Sequence, residues 1–136
     1  MKFSLAPEIY TDKYDESLQF YQDVLGFSLK ASPAGFQSME GFAVLVHPHN
    51  PACELYLCVA ESPFVDPVFH PAYSGKGLIF QVEVDDVDRL YKQATQHKTP
   101  VVLGMTEDPG NGRHFAMKDP NGIIIDIVEF KNGRND

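Results

Sequence analysis

The two halves of this chain overlay on each other. With an offset of 72 residues, His47-Pro48 falls on Asp119-Pro120, Asn50 on Gly122, Glu54 on Asp126 and Leu55 on Ile127. With an offset of 73, Ile9 falls on Val82 and Tyr14 on Val87. Turn residues land on turn residues, and a carboxylate lands on a carboxylate. Self-similarity at about half the chain length points to a duplicated supersecondary unit, while two copies are too few for a solenoid. The same order of elements must therefore be reached twice.

That order follows from periodicity and punctuation. Residues 2–10 read as a first strand, and Asp12 is placed to cap a helix over 14–25. Tyr14, Leu18, Tyr21 and Leu25 form one apolar stripe on it, and Gly26 follows as a stop. Strands are expected over 27–31, 41–46 and 53–59, the last two separated by the turn-rich His47-Pro48-His49-Asn50-Pro51. The second half repeats this. A strand over 78–84 leads through Asp85 or Asp86, as N-cap, into a helix carrying Val87, Leu90, Tyr91 and Ala94 on one face. Strands over 101–103, 113–117 and 123–130 follow, with Asp119-Pro120-Asn121-Gly122 as the turn before the last. The fold class is α+β: two βαβββ modules whose curved mixed sheets enclose a central cleft. Module one spans 1–60, a linker 61–77 and module two 78–130 within a single domain of residues 1–130, and 131–136 form a flexible tail without an apolar anchor.

Charge and cysteine usage narrow the function. The formal net charge is −8, from 19 acidic against 11 basic residues, so the overall field repels phosphate backbones and anionic lipid and favours a cationic ligand. Nucleic acid and membrane are not expected partners. No stretch reaches the roughly 18 uninterrupted apolar residues that span a bilayer, and residues 1–11 lack the pattern of a signal peptide, so the expected compartment is the cytoplasm. Cys53 and Cys58 stand in one strand, about 16 Å apart and on opposite faces, too far to bridge. This suits a reducing environment. No nucleophile with its base, phosphate-cradling loop or zinc-ligand cysteine pair is present, so hydrolase, kinase and zinc-finger readings have no support.

Two segments carry a family resemblance. The run Ser17-Leu18-Gln19-Phe20-Tyr21-Gln22-Asp23-Val24-Leu25-Gly26-Phe27 is similar to the first-helix signature of the glyoxalase/bleomycin resistance protein/dioxygenase (vicinal oxygen chelate) superfamily, S-x-x-F-Y-x-x-V-L-G-F. Gly112-Arg113-His114-Phe115, followed by Asp119-Pro120-Asn121-Gly122 and the strand over 123–129, is similar to its closing turn and final strand. The segment Val82-Glu83-Val84-Asp85-Asp86-Val87-Asp88 resembles the opening of its second module.

The resemblance implies two alternatives for chemistry. Metal-dependent members hold a divalent ion with a side chain from the first and last strand of each module. Counting along the motifs puts the first-strand positions at Ala6 and Ile79, which have no donor atom, and the last-strand positions at Glu54 and Asp126, which do. Two carboxylates without imidazole make a poor site for zinc or nickel. A register slip of two would substitute Glu8 and Gln81, and the oxygen-rich set Glu8, Glu54, Gln81 and Asp126 would suit magnesium or manganese. The preferred expectation has no cofactor. By period-two alternation Glu8, Glu54, Tyr56, Gln81, Glu83 and Asp126 line an acidic, partly aromatic groove suited to a cationic or aromatic small molecule, as in metal-free members of the bleomycin-resistance type. The alternative is a metal-dependent lyase, isomerase or dioxygenase. Whether the chain is an enzyme stays open at this point.

The remaining polar and aromatic residues have plainer readings. His47 and His49 belong to turn chemistry, His97 lies near a helix C-terminus, and the phase of His114 is not set by its flanking residues. The 61–77 linker interleaves Pro63, Pro67 and Pro71 with Phe64, Phe69, His70 and Tyr73. Its aromatic side chains are expected to cover something: a second subunit, in the homodimer the resemblance implies, or the cleft.

Overall fold

The computed structural model describes residues 1–30, 41–63, 65–109 and 112–130. Strand β1 (Glu8–Thr11) leads into helix α1 (Tyr14–Asp23), followed by β2 (Ser28–Leu29), β3 (Phe42–His47) and β4 (Asn50–Val59). After a 3-10 turn at Pro67–Phe69 come β5 (Ile79–Glu83), α2 (Val87–Gln96), β6 (Val101–Asp108), β7 (Gly112–Lys118) and β8 (Ile124–Glu129). The first four strands pair in the order β1-β4-β3-β2 and the second four in the order β5-β8-β7-β6. In both sheets the first strand runs parallel to the last and the other pairs are antiparallel. The duplication read from the overlay is thus a duplication of topology. The chain divides into two compact units between Ser74 and Gly75.

In module one, alternation sends Ile9 and Thr11 of β1, Ala43 and Leu45 of β3, and Leu55 and Leu57 of β4 into the core. Helix α1 packs on β4 and buries Ser17, Phe20 and Tyr21. Tyr21 meets Phe20 and Phe27 edge-on, with ring centroids 5.0 Å and 6.1 Å away. In module two, Phe115 and Met117 of β7 and Ile125 and Ile127 of β8 are fully buried, with Val87 and Ala94 of α2. Tyr91 meets Phe115 edge-on at 5.1 Å. Each large apolar side chain removed from water in this way contributes about 1.5–3 kcal/mol.

Local differences from the sequence expectations have local causes. The first strand begins at Glu8, and residues 2–5 are exposed. Asp12 does not cap α1. Lys13 occupies the N-cap and its side chain does not cap the helix; the buried Thr11 Oγ1 accepts the Lys13 N–H at 2.8 Å and forms the turn itself. Asp86 caps α2 as expected, its Oδ1 accepting the Arg89 N–H at 3.2 Å. Gly26 ends α1 with φ of +82°. Strand β4 starts three residues early, at Asn50, since His47 and Asn50 still pair across the turn. Strand β6 runs on to Asp108 through two register shifts. The tail at 131–136, Phe64 of the linker and residue 31 of the expected second strand lie outside the described residues. No helix among the described residues is long and apolar enough to cross a membrane.

Candidate functional site

Each sheet buries one face under its helix, and the other face is the more open, with Cys58, Ala116 and Val128 as its buried members. On the first sheet the cross-strand register sets Tyr10 beside Cys58 and Phe42, Glu8 beside Tyr56 and Val44, and Glu54 beside Val46. Glu8, Glu54 and Tyr56 therefore share the open face, as alternation requires. On the second sheet Gln81 lies beside Asp126 and Ala116, and Glu83 beside Val128 and His114. Gln81, Glu83 and Asp126 share that open face.

The two faces differ in character. The first is aromatic at one end: Phe42 and Tyr56 lie edge-to-face at 6.1 Å, and Phe69 from the linker stacks on Tyr10 at 6.1 Å and 19°. The linker is fastened there by the Tyr73 N–H donating to Tyr10 O at 2.8 Å and by the Glu61 N–H donating to His70 O at 3.2 Å. Burial, with Glu8 and Cys58 nearby, pushes the Tyr10 hydroxyl above its ordinary range. Burial likewise raises the Cys58 thiol. Cys58 is thereby kept a neutral, weakly nucleophilic thiol. Cys53 is exposed, and both cysteines are free.

At the other end of the first sheet, the Lys30 ammonium holds the Glu54 carboxylate in an ion pair. Its hydrogen bond to Glu54 raises Lys30 above its ordinary value. On the second sheet, His114 Nδ1 lies 2.8 Å from Asp126 Oδ1. The register settles the phase that the sequence left open: His114 faces the same way as Asp126, one diagonal step away across β7 and β8. Ala116, directly opposite Asp126, ends at a methyl group and leaves that diagonal free. Each of the two last-strand carboxylates thus has a partner within its own sheet. Neither partner was picked out from the sequence. The only signal for them is strand phase, and Lys30 lies past the end of a two-residue strand while β7 has a neighbour with shifted register.

Register also bears on the first strands. In module one the paired register begins at Glu8, beside Tyr56, and does not extend back to Ala6. In module two the residue beside Asp126 is Gln81, whereas Ile79, 56% exposed on the same face, lies beside Ile124. The residue beside the last-strand carboxylate of module two is thus Gln81, two residues past Ile79. The donor set of a metal-dependent relative does not fit these residues. Ala6 has no donor, Glu54 is held by Lys30, and Asp126 is held by His114. Among the described residues, no three His, Cys, Asp or Glu side chains gather as a metal site requires.

The other histidines are structural. His47 Nε2 donates to Leu25 O at 3.0 Å, and its Nδ1 accepts the His49 N–H at 3.2 Å, so both ring nitrogens pin the turn to the end of α1. His70 Nε2 donates to Val65 O at 2.8 Å within the linker. On the helix side of module two, Arg113 bridges to Asp88 at 2.6 Å and stays away from the open face.

A family model of the glyoxalase/bleomycin resistance protein/dioxygenase superfamily matches residues 5–127. The chain belongs to that superfamily. Among curated proteins no sequence matches it. Solved structures of the superfamily's fold are similar over nearly the whole chain. Lactoylglutathione lyase from Agrobacterium tumefaciens is 19% identical, with 99% of this chain and 98% of that one covered and a TM-score of 0.67. TnmS3, an antibiotic binding protein from Streptomyces sp. CB03234, is 18% identical, with 96% and 98% covered and a TM-score of 0.68. A glyoxalase/bleomycin resistance protein/dioxygenase from Nocardioides is 21% identical, with 99% and 88% covered and a TM-score of 0.70. At such identities the likeness speaks for the fold, and superfamily members with an enzyme's name and with a binding protein's name share it equally.

Proposed function

We propose that this chain captures a small organic molecule without a metal ion, and that the ligand is aromatic and by preference cationic. The observation that carries the reading is the engagement of both last-strand carboxylates, Glu54 by Lys30 and Asp126 by His114. A divalent ion at either carboxylate would have to displace the partner that holds it, and Ala6 offers no donor. The aromatic end of the first sheet supports the rest. Tyr10, Phe42 and Tyr56 offer ring faces and edges for a planar ligand, and a cation over a ring gains about 0.5–2 kcal/mol. Glu8 beside Tyr56 adds a carboxylate, and the net charge of −8 favours cationic encounter. On this reading Glu8 and Tyr56 are the candidate ligand contacts of the first sheet and Gln81 and Glu83 those of the second, while Glu54 and Asp126 act with their own neighbours, Lys30 and His114. The antibiotic-binding relative is a protein of the same kind of task. We place the protein in the cytoplasm as a homodimer, with exposed Leu29 on β2 and Val102 and Leu103 on β6 available to a second copy at the sheet edges.

Two measurements test this together. Elemental analysis of purified protein is expected to find no stoichiometric divalent ion. A thermal-shift screen of aromatic amines, run with and without chelator, is expected to find compounds that raise the melting temperature equally in both arms, because only binding to the folded state stabilises it. Tyr56→Ala and Glu8→Gln should each shrink that rise. One equivalent of manganese, nickel, zinc or iron, lost on chelation together with thermal stability, would overturn the reading.

A further inference from the structure

We propose that His114 is a hydrogen-bond acceptor for a ligand on the second sheet and that Asp126 is its positioning residue, so that the ligand carries an O–H or N–H donor at that point. The ligand role rests on the capture reading above; the geometry does not. An ionised carboxylate only accepts, so the 2.8 Å contact at Asp126 Oδ1 places the ring hydrogen of His114 on Nδ1. In the neutral ring the lone pair then sits on Nε2. Among the described residues no side-chain nitrogen or oxygen is both buried and without a partner, and the hydrogen bond of His114 is made at Nδ1. Its Nε2 is therefore open to solvent, on a side chain only 18% exposed.

A half-buried ring locked in one tautomer, with its free nitrogen outward, is a preorganised acceptor rather than a flexible surface group. Its surroundings define what it receives. Val128 stands directly opposite on one side and Thr106 on the other, and Glu83 lies one strand further along the same row. Val128 is buried, so the accessible neighbours are a hydroxyl and a carboxylate. A phenol or an aromatic amine, placing its donor on Nε2, fits this chemistry. Asp126, one of the two last-strand carboxylates, thereby acts through the imidazole.

The test uses the full chain, nitrogen-15 imidazole spectra and the probe pair phenol and anisole, which differ in the donor. In the protein alone, His114 is expected to show the tautomer protonated on Nδ1. Phenol should shift its Nε2 resonance, and anisole at equal concentration should leave it in place. Loss of one neutral hydrogen bond should weaken phenol roughly three- to tenfold in His114→Phe and leave anisole unaffected. Asp126→Asn should lose the tautomer preference and part of the phenol response. A ring protonated on Nε2, or equal responses to phenol and anisole, would overturn the assignment, and the first of these needs no variant to fold. If a bound metal were found while the tautomer and phenol results held, the capture reading would fall and His114 would stand as the acceptor.

Discussion

Gly112 opens β7 with φ of +90°, and a Cβ placed there would overlap the carbonyl oxygen of Glu129 on the neighbouring strand. Gly122, at φ of +86°, has nothing within 4 Å of the same position. The pair separates two costs that are usually mixed. Gly122→Ala should lower stability by about 1 kcal/mol, the strain of a left-handed alanine. Gly112→Ala adds a backbone clash that no rotamer relieves and should cost more than about 2 kcal/mol, both read from denaturant midpoints at unchanged slope. Of the candidate site, residue identity conveyed the faces and not the pairs. Glu54, Tyr56, Gln81 and Asp126 fall on open faces because period two is a property of each strand alone. That Glu54 meets Lys30 and Asp126 meets His114 depends on the phase of a different strand, and neither β2 nor β7 declares its phase in its own residues.

Among the elements, the helices show how a start is secured. Helix α2 begins with the Asp86 carboxylate on the Arg89 N–H, and the Val87 N–H donates to Glu129 Oε1 at 2.9 Å. Helix α1 begins at Lys13 with no side-chain cap. Asp86→Ala should therefore cost about 1 kcal/mol and Asp12→Ala nearly nothing, a contrast that thermal melts of the two variants would measure. An equal loss in both would contradict the assignment of the caps. The helices and their apolar faces were legible because 3.6-residue periodicity accumulates over ten positions. The strand ends were not, since β1 loses its partner before Glu8 and β4 gains one at Asn50 through pairing across a turn that looked complete in the sequence. That Gln81 is the residue beside Asp126 was hidden for the same reason: motif spacing fixes distance along a chain, while parallel register is set by the connection between strands.

At the scale of the molecule, the alkaline side of the pH range bears on module one. Burial raises Tyr10, Tyr14 and Cys58 above their ordinary values, helped by Glu8 for Tyr10 and Cys58 and by Asp15 for Tyr14. A raised folded-state value favours the protonated form in the fold, so the stability it brings is complete at neutral pH and is lost as pH climbs above about 9. The melting temperature should fall as pH climbs from about 9 to about 11.5, and Tyr14→Phe should fall less; an identical drop in the variant would remove Tyr14 from the explanation. The strand order has a consequence for synthesis. In each sheet the strand made last lies between the one made first and the one made third, so a ribosome must deliver it before that sheet can close. Module one has all its parts once Val59 emerges, but Phe80 and Val82 wait for β8, and the start of α2 waits for Glu129. During translation the earlier half can settle while the later half still lacks its keystone.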